Sequence, residues 1–138
     1  MKILLLGDVM GPSGRKAINK NLAKLIRDNE IDFTVINGEN AADDGKGITK
    51  LIAKEFFLQG VDVITSGNHI WDKKEIIEYI NQDNRLLRPS NLAEGTPGNG
   101  YGIYFTKNKK FKVGVINLMG NVFMRKTEDV FEEAKKVK

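Results

Sequence analysis

Ile3-Leu4-Leu5-Leu6-Gly7-Asp8 is a short apolar run that stops at a glycine followed by a carboxylate. Similar runs end in glycine at Val35-Ile36-Asn37-Gly38-Glu39-Asn40 and at Val63-Ile64-Thr65-Ser66-Gly67-Asn68-His69, each followed by a metal-loving or proton-handling residue. Runs rich in leucine and β-branched residues, separated by helical patterns, read as βαβ units and therefore as a parallel sheet. The fold class is α/β. Parallel strands align their carboxyl ends along one edge, and open α/β sheets bind ligands there. Asp8, Glu39, Asn40, Asn68 and His69 then converge on one site although they are far apart in sequence.

Outward from these runs, the first strand covers 2–6 and is followed by a Gly/Pro-rich loop over 7–13. A helix is expected over 14–29, with Ser13 as N-cap and Ala17, Leu22, Leu25 and Ile26 on or near its apolar stripe. The second strand is 33–37, and a polar loop over 38–47 leads to Thr49, a cap for a helix carrying Ile52, Ala53, Phe56 and Phe57. Gly60 ends that helix. After a third strand at 61–66, Asp72-Lys73-Lys74-Glu75 reads as a capping box opening a helix through Ile76, Ile77 and Ile80. An extended piece at 86–88 precedes Pro89, and 94–100 is a loop by composition. Residues 101–106 and 111–118 alternate as an antiparallel hairpin, and a last helical pattern begins near Thr127.

At 138 residues, with 41% hydrophobic and 29% charged content, the chain suits a single globular domain. The absence of cysteine excludes a disulfide framework and thiolate metal sites, and suits a reducing cytoplasm. The apolar start ends at Gly7-Asp8, short of a signal sequence, and no run approaches the ~20 apolar residues of a membrane span. The charge of +4 gathers at Lys107, Lys109, Lys110 and Lys112 and at Lys135, Lys136 and Lys138. Few aromatics interleave these lysines, so they read as solvated surface and no stable nucleic-acid complex is expected. A mildly basic surface still helps attract a phosphorylated substrate.

Asp8 and Glu39 offer hard carboxylate oxygens, while Asn40 and Asn68 offer amide oxygens. Such a set suits Mn²⁺ or Mg²⁺, and Fe²⁺ once imidazole is added. Facing carboxylates repel each other, and a cation between them removes the conflict. Dinuclear sites activate water and clamp a phosphoryl group, and His69 is placed to protonate a leaving oxygen or to stabilise phosphate charge. Each residue also has a structural reading. Asp8 could cap a turn, Glu39-Asn40 could be loop surface, Asn68 could take a left-handed backbone and His69 could simply pack. Trp71 reads as packing. Arg15, at a helix start, is a candidate phosphate contact, and the glycines from 95 to 102 either cradle phosphate or relieve loop strain. A dinucleotide-binding loop at 7–14 is the rival reading, but Val9 stands where a G-x-G-x-x-G pattern needs glycine.

Gly7-Asp8, Gly38-Glu39-Asn40 and Gly67-Asn68-His69 resemble the first blocks of the calcineurin-like metallophosphoesterases. Asn37-Gly38-Glu39-Asn40-Ala41-Ala42, Gly45-Lys46-Gly47 and Gly67-Asn68-His69-Ile70-Trp71-Asp72 narrow the resemblance, as do Arg88-Pro89-Ser90-Asn91 and Glu94-Gly95-Thr96-Pro97-Gly98. Together they resemble the YmdB branch of bacterial phosphodiesterases, which act on 2′,3′-cyclic nucleotides. The resemblance implies two β-sheets flanked by helices and two divalent metal ions, iron or manganese ahead of magnesium. Asp8 and Asn40 would bind one metal, Glu39 would bridge both, Asn68 would bind the second, and His69 would be the catalytic histidine. Met10 fills a position that is histidine in the wider superfamily and not in this branch. The family pattern continues past residue 138 with strands bearing three metal-binding histidines, whereas His69 is the one histidine here. Residues 1–138 are therefore expected to be the N-terminal portion of a metallophosphoesterase domain, with some apolar faces uncovered. The expected activity is hydrolysis of a small phosphodiester by metal-activated water, in a cytoplasmic protein that could be a homo-oligomer. The alternative is a non-catalytic remnant that binds metal or nucleotide.

Overall fold

The three apolar runs form neighbouring parallel strands. In the computed structural model, which describes residues 1–124 and 127–137, β1 (Ile3–Asp8), β2 (Phe33–Asn37), β3 (Val63–Thr65) and β4 (Leu86–Leu87) make a parallel sheet in the order β1-β2-β3-β4. The connections run through α1 (Gly11–Asp28), α2 (Lys50–Leu58) and the short α3 (Ile76–Tyr79). Right-handed crossovers between successive neighbours place all three helices on one face. The packing agrees: Leu22, Ile52, Phe56, Ile76 and Tyr79 share a core with Ile36, Ile64 and Leu86.

Side chains alternate along a strand, so the intervening residues face the other way. Phe33, Val35, Val63 and Leu87 pack against Val113 of an antiparallel hairpin, β5 (Tyr101–Phe105) and β6 (Lys112–Ile116). The result is the expected pair of sheets, with helices outside the parallel one. The chain also leaves apolar surface uncovered. Leu5 on β1 and Ile103 on the outer face of the hairpin are each 73% exposed, and Tyr101 and Phe105 stand out beside Ile103. A last helix, α4 (Val130–Lys136), is capped by Asp129, whose Oδ1 accepts from the backbone N–H groups of Phe131 and Glu132.

Two helix starts differ from the sequence reading. α1 begins at Gly11 with Met10 at the N-cap, so Ser13 lies inside the first turn and caps nothing. Pro12 explains the shift, because its fixed φ and missing N–H suit a first turn. Ile18, Leu22 and Ile26 face the core, while Ala17 and Leu25 are exposed. α2 matches its expectation, with Thr49 Oγ1 accepting from the Ile52 N–H at 3.2 Å. α3, however, starts at Ile76 without a side-chain cap. Asp72 is committed elsewhere, as described below.

The sheets are tied at one tight point. A Cβ on Gly100 would fall inside the backbone of Ser90, including its nitrogen at 2.8 Å. The Ser90 N–H in turn donates to Asn117 O at 2.7 Å, and the Asn117 N–H to Gly100 O at 2.9 Å. Gly100→Ala is expected to cost about 1–3 kcal/mol through forced backbone movement. A urea titration checks this, and an unchanged midpoint would contradict it.

Candidate functional site

β1 ends in a bulge. Its pairing with β2 slips between Leu6 and Asp8, so Asp8 stands opposite Asn37. A bulge re-aims the side chain that follows it, and here that side chain is the Asp8 carboxylate. Asn40 Nδ2 donates to both of its oxygens, at 2.9 and 3.0 Å. The loop after β2 is pinned to the start of α1 by the Gly11 N–H, which donates to Asn40 O at 2.8 Å.

Glu39, one residue earlier, reaches the loop after β3. Its Oε1 accepts from the His69 backbone N–H at 3.1 Å. The carboxylate lies so close over Gly67 that a Cβ there would overlap it. Glycine at 67 is thus a requirement of space, not of dihedral angle. Successive Cα atoms are about 3.8 Å apart, so the Glu39–Asn40 peptide bond couples the Asp8 pair to the His69 loop. Asn68 lies exposed on this loop. It is not among the residues with positive φ, which removes the left-handed reading.

His69 is held from two sides. Gly47, at φ 76°, passes beneath it so closely that a Cβ would come within 2.8 Å of His69 O. The imidazole Nδ1 bonds to Asp72 Oδ2 at 2.8 Å. Asp72 is therefore a site residue that the capping-box reading missed. The three-residue spacing inside a tight turn after the histidine was the available signal. A carboxylate on one ring nitrogen fixes the imidazole and its tautomer, leaving Nε2 for chemistry.

The surrounding cations are already engaged. Arg15 donates to Ala41 O at 2.5 Å and to Asp43 Oδ1 at 2.6 Å, so it braces the loop after β2 instead of standing open to phosphate. The Lys73 ammonium, 2.7 Å from Asp44, holds that carboxyl below its usual range. Asp8 and Glu39 enter no ion pair among the described residues. No group of three His, Cys, Asp or Glu side chains converges among those residues either, so Asp8, Glu39 and His69 do not gather as a ready-made ligand triad. Two carboxylates without cationic partners, flanked by two amides at one sheet edge, fit a hard divalent cation in donor chemistry. The loop over 7–14 does not fit a pyrophosphate cradle, because the Gly11 and Gly14 N–H groups already bond to protein carbonyls. Gly95 and Gly98 sit at φ 79° and 78°, a backbone conformation that glycine adopts without strain. No helix among the described residues is long and apolar enough to cross a membrane.

A family model described as YmdB-like protein matches residues 4–138. The chain is 45% identical over 134 residues to a Bacillus subtilis protein described as a 2′,3′-cyclic-nucleotide 2′-phosphodiesterase. That match covers 97% of this chain and 50% of the relative. A crystal structure of a hypothetical protein from Thermus thermophilus superposes with a TM-score of 0.89 at 34% identity, over 99% of this chain and 52% of that one. One described as a novel phosphatase from Mycoplasma pneumoniae superposes with a TM-score of 0.88 at 33% identity, over 99% and 50%. The chain spans about half the length of the relatives it matches.

Proposed function

Because this chain belongs to the family of YmdB-like proteins, we propose that it supplies one half of the site of a metal-dependent phosphodiesterase whose substrate is a 2′,3′-cyclic nucleotide. The carrying observation is the junction at Glu39-Asn40. It links the Asp8–Asn40 pair to a histidine braced by a carboxylate. The substrate class rests on the description of the Bacillus subtilis relative.

Asp8, Glu39, Asn40 and Asn68 would hold two divalent cations, iron or manganese, together with donors from the further length that relatives possess. When bound, such ions lower the pKa of water and neutralise phosphate charge. The remaining work falls to this chain's own groups. Asp8 and Glu39 keep the edge anionic. Asn40 turns its N–H towards Asp8 in the present arrangement, so ligation through Oδ1 requires the amide to flip. His69, with its Nδ1–H donated to Asp72, presents Nε2 to the phosphodiester and, as the doubly protonated imidazolium, gives the Nε2 proton to the departing ribose oxygen. Asp72 keeps the imidazole at the angle that this transfer needs.

Two measurements test the proposal. Titration calorimetry of the chain with Mn²⁺ is expected to show binding that Asp8→Ala and Asn40→Ala abolish. In the chain extended by the C-terminal half of a relative, hydrolysis of 2′,3′-cyclic AMP is expected to vanish with chelator and return with Mn²⁺ or Fe²⁺. Turnover indifferent to chelator would overturn the reading. Metal binding without turnover in the extended protein would replace it with a non-catalytic metal-binding module.

A further inference from the structure

Beside His69 the surface opens into a cleft of about 610 Å³, within the ~300–1,000 Å³ range of small-molecule sites. Its walls include Trp71, Leu92, Met119, Phe123 and Met124, with Asn68 and His69 at one end. The resemblance places metal and phosphate chemistry at that end and assigns nothing to the rest. Trp71, the chain's one tryptophan, packs partly against the helix-side core and also lines the cleft. Phe123 is wholly exposed and holds a φ of 58°. A bulky residue rarely takes that conformation, and strain of this kind gathers at ligand sites.

The cleft is also built, and by residues that the phosphate chemistry does not use. Asn91 is fully buried. Its Nδ2 donates to Met119 O at 2.7 Å and to Thr127 Oγ1 at 2.8 Å, and its Oδ1 accepts from the Met119 N–H at 2.9 Å. One side chain thus holds Met119 and Thr127, which lie on either side of Phe123 in sequence. Arg88, half-buried, donates to Pro89 O at 2.7 Å and to Pro97 O at 3.2 Å, which shapes the opposite wall around Leu92 and Thr96. The Arg88-Pro89-Ser90-Asn91 stretch is therefore scaffolding for this cleft.

We infer that the cleft seats the base of the nucleotide whose phosphate lies at His69, with Trp71 and Phe123 as its aromatic contacts; the inference rests on the phosphodiesterase reading above. Rings and thioethers suit a flat aromatic face, and base–aromatic stacking tolerates any base. The exposed Asn68 amide at one end gives a polar partner for ring nitrogens or the ribose.

The sole tryptophan allows a direct test. Adenosine, which has no phosphate, is expected to change Trp71 emission saturably, whereas inorganic phosphate is not. Phe123→Ala, at a fully exposed position, should weaken adenosine binding by roughly tenfold, the scale of one stacking contact. Phe131→Ala, exposed outside the cleft, should leave it unchanged. Absence of any saturable response to adenosine or to 2′,3′-cyclic AMP would overturn the inference. So would equal affinity in Phe123→Ala and wild type. Adenosine binding in an extended protein that hydrolyses no phosphodiester would instead overturn the activity and leave the cleft standing.

Discussion

His69→Ala is expected to lower kcat for 2′,3′-cyclic AMP by about 10²–10⁴-fold in the metal-loaded, extended protein, the range for losing a positioned proton donor. The side chain is 31% exposed and its one described ring partner is Asp72. A partly exposed pair of this kind contributes at most about 1 kcal/mol, so the melting temperature should hardly move. Asp72→Asn refines the prediction. The amide keeps the shape but removes the negative charge that supports the imidazolium, the form that carries a proton on Nε2 while Nδ1–H is bonded. A fall of about 10–100-fold is expected, the scale for residues that orient a functional histidine. The pH–rate profile should also change in Asp72→Asn, which loss of packing alone would not produce. Asn68→Ala should lose turnover as completely as His69→Ala. Wild-type rates in both His69→Ala and Asn68→Ala would refute the site.

How far this site was legible depended on what each residue answers to. Asp8, Glu39, Asn40, Asn68 and His69 follow strands whose type was clear from apolar runs, and the parallel sheet collects strand ends without further instruction. The helix after Thr49 was equally clear, because cap and stripe agree. Asp72 was misread because two local rules compete for it. A capping box and a carboxylate three residues after a histidine look alike in one dimension, and only the short α3 shows which won. Asn91 and Arg88 gave no local pattern, since their partners at Met119, Thr127 and Pro97 are set by tertiary folding. The exposure of Leu5 and Ile103, by contrast, follows the expectation of uncovered apolar faces.

Gly67→Ala is the sharpest test of whether the glycines mark function or folding. The nearest atoms that the new methyl group would meet are the three of the Glu39 carboxyl group, which it would overlap. The colliding atoms are the end of a flexible side chain, so Glu39 can swing aside at little cost and the fold should survive. Stability is expected to stay within about 1 kcal/mol of wild type. Function should not survive, because the displaced carboxylate is the one proposed to bridge both cations. A loss of at least about 10–100-fold in Mn²⁺ affinity or in kcat/KM is expected, the scale for disturbing how a ligand is held. Gly47→Ala provides the contrast. It collides with the His69 carbonyl and sits at positive φ, so it should cost about 1–2 kcal/mol in backbone strain alone. The pairing with Glu39→Ala then decides the cause. If Gly67→Ala acts only by evicting that carboxylate, adding it to Glu39→Ala should remove nothing more, because residues acting as a unit are non-additive. A further loss in the double variant would show that Gly67 acts on the His69 loop itself.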